Sequence, residues 1–352
     1  QKQASLCYKK LNMSKKNSSV ILKEVFKNNK DILEVFLRFK NKITKLNKRS
    51  IAVAISGGPD SLALSALAKA LSLEKKIKFY FVLVNHNIRK NSKNEANQVK
   101  KLLKKYKINL KILNNSKKIS KNIQSQARQV RYEMLLKFCK TRNIKIILTG
   151  HNLEDQVETF FIRLSRGSGL TGLSSMKTLT NLNKQIKLYR PMLSVKKNTL
   201  VRISKKVFGK FFIDPSNNNS KYLRTKIRNL KRPLSKSGIK YDQIIKSINN
   251  LESSRAALDE YFIRASKGIL IYARGTVSLN LSKFNSLNNE LKIRLINESI
   301  KRLKNNYYDQ RSKKVVNLIN LINFQDFKKA NLGGCLFFRK KDNLCVKLEK
   351  KH

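Results

Sequence analysis

An α/β fold with a doubly wound, mostly parallel sheet, followed by a second, smaller helix-rich domain, is what this sequence predicts. Three observations carry that expectation. Short apolar runs alternate with helix-patterned segments from Ile51 to Thr149, the signature of βαβ units. A glycine turn, Ser56-Gly57-Gly58-Pro59-Asp60-Ser61, joins the first such run to the first such helix. After Asp214-Pro215-Ser216-Asn217 the pattern changes to basic helical segments with a few short strand-like runs. The expected organisation is a basic extension and leading helix over 1–47, a catalytic domain over 48–233 and a helix-rich domain over 234–352.

Residues 1–12 precede Met13 and read as an extension without folded structure. Residues 18–47, with Val35, Phe36 and Phe39 at helical spacing, predict one leading helix. Strands are expected at Ile51–Ile55, Lys78–Val84, Asn109–Leu113 and Lys145–Thr149. Ser92-Lys93-Asn94-Glu95 has the spacing of a capping box and marks the second connecting helix. A third, over 121–140, places Ile123, Ala127, Val130, Met134 and Phe138 on a buried stripe and Gln124, Arg128 and Arg131 on a polar one. Farther on, helices are expected at Asp242–Ala265, Glu290–Leu303 and Gln310–Leu321, and strand-like pairs at Gly268–Leu281 and Asn331–Leu348, the last interrupted by Gly333-Gly334.

Ligands of an open parallel sheet bind beyond the carboxyl ends of its strands. Three candidate segments fall there: the glycine turn, Asn85-His86-Asn87-Ile88-Arg89, and Gly150-His151 with the helix that follows. Adjacent glycines and a new helix N-terminus suit an anion, so the first should hold phosphate. It lacks the Lys of a Walker A loop, and Asp60 is a candidate magnesium ligand. His151, Asp155, Glu158 and Thr159 are spaced to share a helix face, with Glu154 alongside. Acids clustered near a phosphate loop suit a magnesium ion whose other ligands are substrate phosphates. Gly167-Ser168-Gly169-Leu170-Thr171-Gly172 matches a dinucleotide fingerprint, but it follows a helix rather than a strand and is rejected as one.

The chain has 78 Lys and Arg against 21 Asp and Glu, a net charge of +57, which predicts attraction to a polyanion, nucleic acid above all. Lys, Asn and Ile, all encoded by A/T-rich codons, are abundant together, so a biased base composition is the competing source expected for part of the Lys excess. No apolar run approaches the length of a bilayer span, and a cytoplasmic location is expected. Cys7, Cys139, Cys335 and Cys345 form no Cys-x-x-Cys pair, so buried free thiols are expected and a zinc or iron-sulfur site is not.

Ser-Gly-Gly-x-Asp-Ser after a first strand resembles the PP-loop of the N-type ATP pyrophosphatases, which cleave ATP between its α and β phosphates and adenylate a second substrate. The likeness narrows to the tRNA(Ile)-lysidine synthetase family through Ser56 to Ser61, Val84 to Arg89, Gln126 to Tyr132, Gly150 to Thr159, Arg163 to Leu173, Arg190 to Leu193 and Asp214 to Asn217, in that order. The C-terminal part is similar to the family's smaller tRNA-binding domain, mainly through Asn331-Leu332-Gly333-Gly334.

That resemblance implies a carbon-nitrogen ligase that joins free lysine to the wobble cytidine of the CAU anticodon of tRNA(Ile), with ATP as co-substrate. It implies Asp60, Glu154, Asp155 and Glu158 as catalytic residues, with magnesium on Asp60 and Asp155. ATP would meet Ser56, Gly57, Gly58, Pro59, Asp60, Ser61, Asn85, His86, Gly150 and His151. For tRNA the candidates are Arg89, Arg128, Arg131, Arg163, Arg166 and Arg190, and no protein partner is implied. The chain departs from the family where His-His-x-Asp-Asp-Gln becomes His151-Asn152-Leu153-Glu154-Asp155-Gln156, and where Thr225 replaces a usual Asn. A tRNA-thiolating relative would need cysteine pairs, an amidotransferase an ammonia source. A noncatalytic RNA-binding protein would have no use for the Asp60 and Asp155 acids.

Overall fold

The computed structural model describes residues 18–89, 91–117, 119, 123–213, 223–273, 275–304, 310, 312–324 and 326–349. Two compact units emerge: Gln1–Ile162 with Met176–Thr180 and Gln185–Ile245, and Arg163–Ser175 with Asn181–Lys184 and Lys246–His352. The expectations for residues 1–12, Cys7 and Asp214 to Asn217 lie outside the described residues.

The first unit is organised by strands β1 (Ser50–Ile55), β2 (Lys78–Asn85), β3 (Leu110–Asn114), β4 (Ile146–Leu148), β5 (Leu179–Asn181) and β6 (Lys187–Tyr189), in the order β3-β2-β1-β4-β6-β5. β1 runs parallel to β2 and β4, β2 to β3, and β4 to β6. The order reverses at β1, so a crevice is expected beside its carboxyl end. Four of these strands match the predicted ones within a residue or two. β5 and β6, three residues each, offered too little pattern to be anticipated.

Burial explains the order. In β1, Ile51, Ala52, Val53 and Ile55 are buried, as a central strand covered on both faces requires. Its partner helix, Pro59–Glu74, buries an almost unbroken Ala/Leu/Ser surface. Helix Lys30–Thr44 instead buries only Ile32, Phe36, Phe39 and Ile43, the stripe of an amphipathic surface helix. The predicted single leading helix is in fact two, Ser18–Lys27 and Lys30–Thr44, closed against each other by Phe26 stacked on Phe36 at 5.0 Å. In helix Ile123–Thr141 the buried residues are Ala127, Tyr132, Leu135, Phe138 and Cys139, while Ile123 is exposed. The predicted capping box is also absent. Asn91 precedes helix Ser92–Lys104 without a side-chain cap, and Glu95 pairs with Arg89 at 2.9 Å.

In the second unit the two predicted strand pairs are parts of one five-stranded antiparallel sheet. It comprises β7 (Leu270–Ala273), β8 (Thr276–Asn280), β9 (Lys329–Leu332), β10 (Cys335–Lys340) and β11 (Asn343–Leu348), in the order β7-β8-β11-β10-β9. Gly333 and Gly334, at φ 62° and 70°, make the tight turn between β9 and β10. Helices Asn289–Lys304 and Ser312–Ile322 contribute Leu295, Ile296, Ile300, Val315, Leu318 and Ile319 to the core of this unit. Cys335 and Cys345 are buried free thiols, and Cys335 stands opposite Leu348 rather than Cys345. Among the described residues no helix is long and apolar enough to cross a membrane.

The segment rejected as a dinucleotide loop holds a short helix, Leu170–Leu173, and belongs to the second unit. Arg163 donates to the carbonyls of Gly172 (2.6 Å) and Ser175 (2.8 Å), and Arg255 bonds Ser174 Oγ. Arg166 is exposed in the same segment.

Candidate active site

The glycine turn is tied by its own hydroxyls. Ser61 Oγ accepts the Ser56 N–H at 3.1 Å, lies 3.2 Å from Ser56 Oγ and donates to the Gly58 carbonyl at 2.9 Å. Gly57 adopts φ 85°, and a Cβ there would stand 2.7 Å from Val99 Cγ2, so backbone conformation and space both require glycine. Gly58 precedes helix Pro59–Glu74 with Pro59 at its first position, where a missing N–H costs nothing. The third segment closes onto the first at Gly150, where a Cβ would lie 2.9 Å from the Asp60 carbonyl oxygen.

Asp60 is held away from water. Burial first, and the neighbouring Asp155 second, push its carboxyl up to about 6, opposed by Lys197 and by a hydrogen bond from the Asn152 side chain. Its Oδ1 is buried without a hydrogen-bond partner among the described residues. A buried, unpartnered carboxylate oxygen beside a second carboxylate suits a hard divalent ion completed by water and phosphate oxygens. Among the described residues no group of three or more His, Cys, Asp or Glu is arranged to hold a metal by itself, as magnesium chemistry of that kind does not require.

The acids of helix Leu153–Leu164 have divided partners. Asn152 caps it reciprocally: its Oδ1 accepts the Asp155 N–H at 3.0 Å, and Asp155 Oδ2 accepts the Asn152 N–H at 3.1 Å. Asp155 Oδ1 accepts from Arg224 at 2.7 Å. Glu158 is clamped by Arg224 Nε at 2.7 Å and Arg228 Nε at 2.8 Å, its side chain only 3% exposed. Glu154 Oε2 accepts the Lys197 N–H at 2.8 Å, placing a carboxylate at the start of helix Lys197–Phe208, where the macrodipole favours it. His151 precedes the helix rather than sharing its face. Its Nδ1 lies 2.9 Å from Thr149 Oγ1. Burial, then Arg190, Arg224, Arg128 and Arg131, lower its pKa to about 3, so the imidazole is neutral in a positive surrounding.

At the end of β2, Asn85 is buried and donates to Asn87 Oδ1 (3.0 Å) and Asn114 Oδ1 (3.2 Å), shaping the turn that presents His86. Arg131 approaches His86 Nε2 at 3.3–3.4 Å, and burial with Arg131 lowers that imidazole to about 4. Arg128 lies 5.1 Å over the Tyr132 ring. Arg190 is 5% exposed and spans Lys177 O (2.7 Å) and Thr180 Oγ1 (2.8 Å), so it lends charge from within the fold.

The first unit thus brings together the glycine turn, Gly150, His151, Asp60, Glu154, Asp155 and Glu158. Arg163 and Arg166 belong to the other unit. Sequence reasoning missed Asn152, Lys197, Arg224 and Arg228 as members of this cluster. The four-residue spacing of Arg224 and Arg228 was a usable signal, since a buried acid cluster in so basic a chain must find cations.

A family model described as PP-loop domain matches residues 32–233. The tRNA(Ile)-lysidine synthase of Wolbachia pipientis wMel is 32% identical over 321 residues, covering 89% of this chain and 74% of that protein. The tRNA(Ile)-lysidine synthase of Rickettsia felis is 31% identical over 315 residues, covering 87% and 71%. Among solved structures, the U34-tRNA thiolase NcsA from Methanococcus maripaludis with its 4Fe-4S cluster has a TM-score of 0.53 at 19% identity, covering 63% of this chain and 78% of that one, a likeness of fold. A PP-loop match over more than half the sequence, with such similarity along nearly all of it, means that the chain belongs to the tRNA(Ile)-lysidine synthase family.

Proposed function

We propose that this chain is an ATP-dependent ligase that attaches free lysine to the wobble cytidine of the CAU anticodon of tRNA(Ile). The observation that carries the reading is the closure of Gly150 onto the glycine turn, which sets the buried Asp60 oxygen beside Asp155 at the carboxyl end of β1. In the first step the 2-oxo oxygen of the cytidine attacks the α phosphorus of ATP, an adenylated base forms, and pyrophosphate leaves toward the N–H groups of the turn. In the second step the lysine amine attacks the activated ring carbon, AMP leaves, and the amine proton passes to a carboxylate.

Asp60 and Asp155 would hold a magnesium ion, which would offset charge on the polyphosphate; each oxygen of Asp155 keeps a second lone pair beside its present bond. Asp155, its side chain 18% exposed, is also the acid most open to an incoming amine, against 13% for Glu154 and 3% for Glu158. Glu158 is then the residue that fixes Arg224 and Arg228, and Glu154 the one that seats helix Lys197–Phe208. The neutral His151 and the arginines around it would hold the phosphate of the adenylate. For tRNA, Arg89, Arg128 and Arg131 of the first unit and Arg163 and Arg166 of the second would supply phosphate contacts, with the target base splayed out and read on its edge.

The test is incubation with ATP, labelled lysine and tRNA transcripts. Label should enter the isoleucine-type CAU transcript and neither the methionine tRNA with the same triplet nor a transcript with another anticodon. Equal labelling of all three, or of none, would refute the assignment.

A further inference from the structure

The turn after β2 is built around a single imidazole. Asn87 stands at φ 54°, a left-handed conformation in which asparagine is enriched, and its main-chain N–H donates to Asn85 Oδ1 at 3.1 Å. Its amide donates to the Asn115 carbonyl at 3.0 Å, and the Asn115 amide returns to the His86 carbonyl at 3.2 Å. Asn85 and Asn115 are 4% and 5% exposed, so the backbone on both sides of His86 is held from within. A backbone of this kind persists where its surroundings over-determine it.

Resting on the ligase reading, in which ATP is a substrate, we infer that Arg131 locks His86 in its Nδ1–H tautomer and that this N–H holds the nucleoside end of ATP. Arginine has donors only, and both Nε and Nη2 of Arg131 approach His86 Nε2, at 3.4 and 3.3 Å. That nitrogen must therefore accept. Burial first, then Arg131, keeps the imidazole neutral, so its one ring proton sits on Nδ1. Nδ1 is itself buried and has no hydrogen-bond partner among the described residues. A buried donor left unmet is costly, and the crevice beyond the strand ends is where a ligand would meet it.

Which part of the nucleotide it meets follows from the strand order. The glycine turn follows β1, Asp155 and Glu158 follow β4 on one side of it, and His86 follows β2 on the other. Polyphosphate and magnesium suit the turn and the acids, and a phosphate oxygen would draw a guanidinium before a neutral imidazole. An uncharged N–H on the β2 side suits a neutral acceptor of the nucleoside, a ring nitrogen of the base or a ribose oxygen.

The experiment uses the full chain and its His86→Asn, His86→Gln and Arg131→Met variants. Asparagine keeps a donor at the δ position, whereas glutamine keeps an acceptor for Arg131 but moves its amide to the ε position. Nitrogen NMR of the histidine side chains should show Nδ1 protonated and Nε2 bare in the unmodified chain, and a mixture of tautomers in Arg131→Met. By calorimetry, ATP should bind His86→Asn within about twofold of the unmodified chain and His86→Gln about tenfold more weakly, the scale of a buried hydrogen bond lost. Inorganic tripolyphosphate should bind both His86 variants as it binds the unmodified chain. Melting temperatures should agree within about 3 °C. A proton on Nε2 in the unmodified chain, equal ATP affinities in the two His86 variants, the same loss with tripolyphosphate, or a loss that merely follows a large fall in Tm overturns the inference. An unmodified chain that shows the expected tautomer and binds ATP but transfers no lysine refutes the ligase reading instead.

Discussion

Asp60 and Glu158 are both withdrawn from water in the same unit, yet their surroundings are opposite. Glu158 is surrounded by donors from Arg224 and Arg228, and nothing about it awaits a ligand. Asp60 keeps a buried oxygen without a hydrogen-bond partner among the described residues, and burial first, with Asp155 beside it second, raises its pKa to about 6. A buried carboxylate fully paired by the protein is costly to unpair, whereas one left short of partners is itself costly unless something outside the chain completes it. On the proposed reading the difference separates a structural acid from a working one, although the sequence presents both as part of one cluster.

The widest separation should come from Asp60→Asn. The change should cut pyrophosphate release by about 10²–10³-fold or more, the scale of a lost charge-stabilising group, with tRNA binding by filter assay unchanged. Undiminished turnover would take Asp60 out of the site. Glu158→Ala should show the reverse pattern. By leaving two arginines without their shared anion it should lower stability by about 3 kcal/mol in urea unfolding. A variant as stable as the parent would erase the contrast.

The smallest effect has a size that depends on pH. Because the Asp60 pKa is raised from 3.8 to about 6, the folded chain keeps a proton there that the unfolded chain has lost. Its contribution is neutral below pH 3.8 and becomes fully unfavourable above about pH 6. Asp60→Asn should therefore stabilise the ligand-free protein by about 2 kcal/mol near pH 7.5, allowing for partial exposure, and by almost nothing near pH 3.5. Equal effects at both pH values would mean that burial does not hold Asp60 as described.

How much of this was legible in the sequence follows the same division. The strand-turn-helix at Ser56 to Ser61 could be read because apolar period, glycines and Pro59 all point one way locally. The acid cluster could be read because acids are scarce in this chain. Partner assignments could not, since Arg224 and Arg228 lie some 70 residues from Glu158 in sequence, and only the fold brings them together. Asn152 looked like a departure from a motif, and its capping geometry becomes visible only where the helix starts. The misjudged capping box at Ser92 has the complementary cause: Glu95 found Arg89 instead of a backbone N–H. β5 and β6 were missed because three-residue strands carry almost no periodic signal.

The central claim is that the acids around the glycine turn serve adenylation of a tRNA base before lysine acts. Pyrophosphate release measured with ATP, magnesium and the isoleucine-type CAU transcript, in the absence of lysine, tests it most directly. The account predicts a burst of pyrophosphate in proportion to the enzyme present, lost when the transcript is omitted. No release until lysine is added, or release that ignores the transcript, would contradict it.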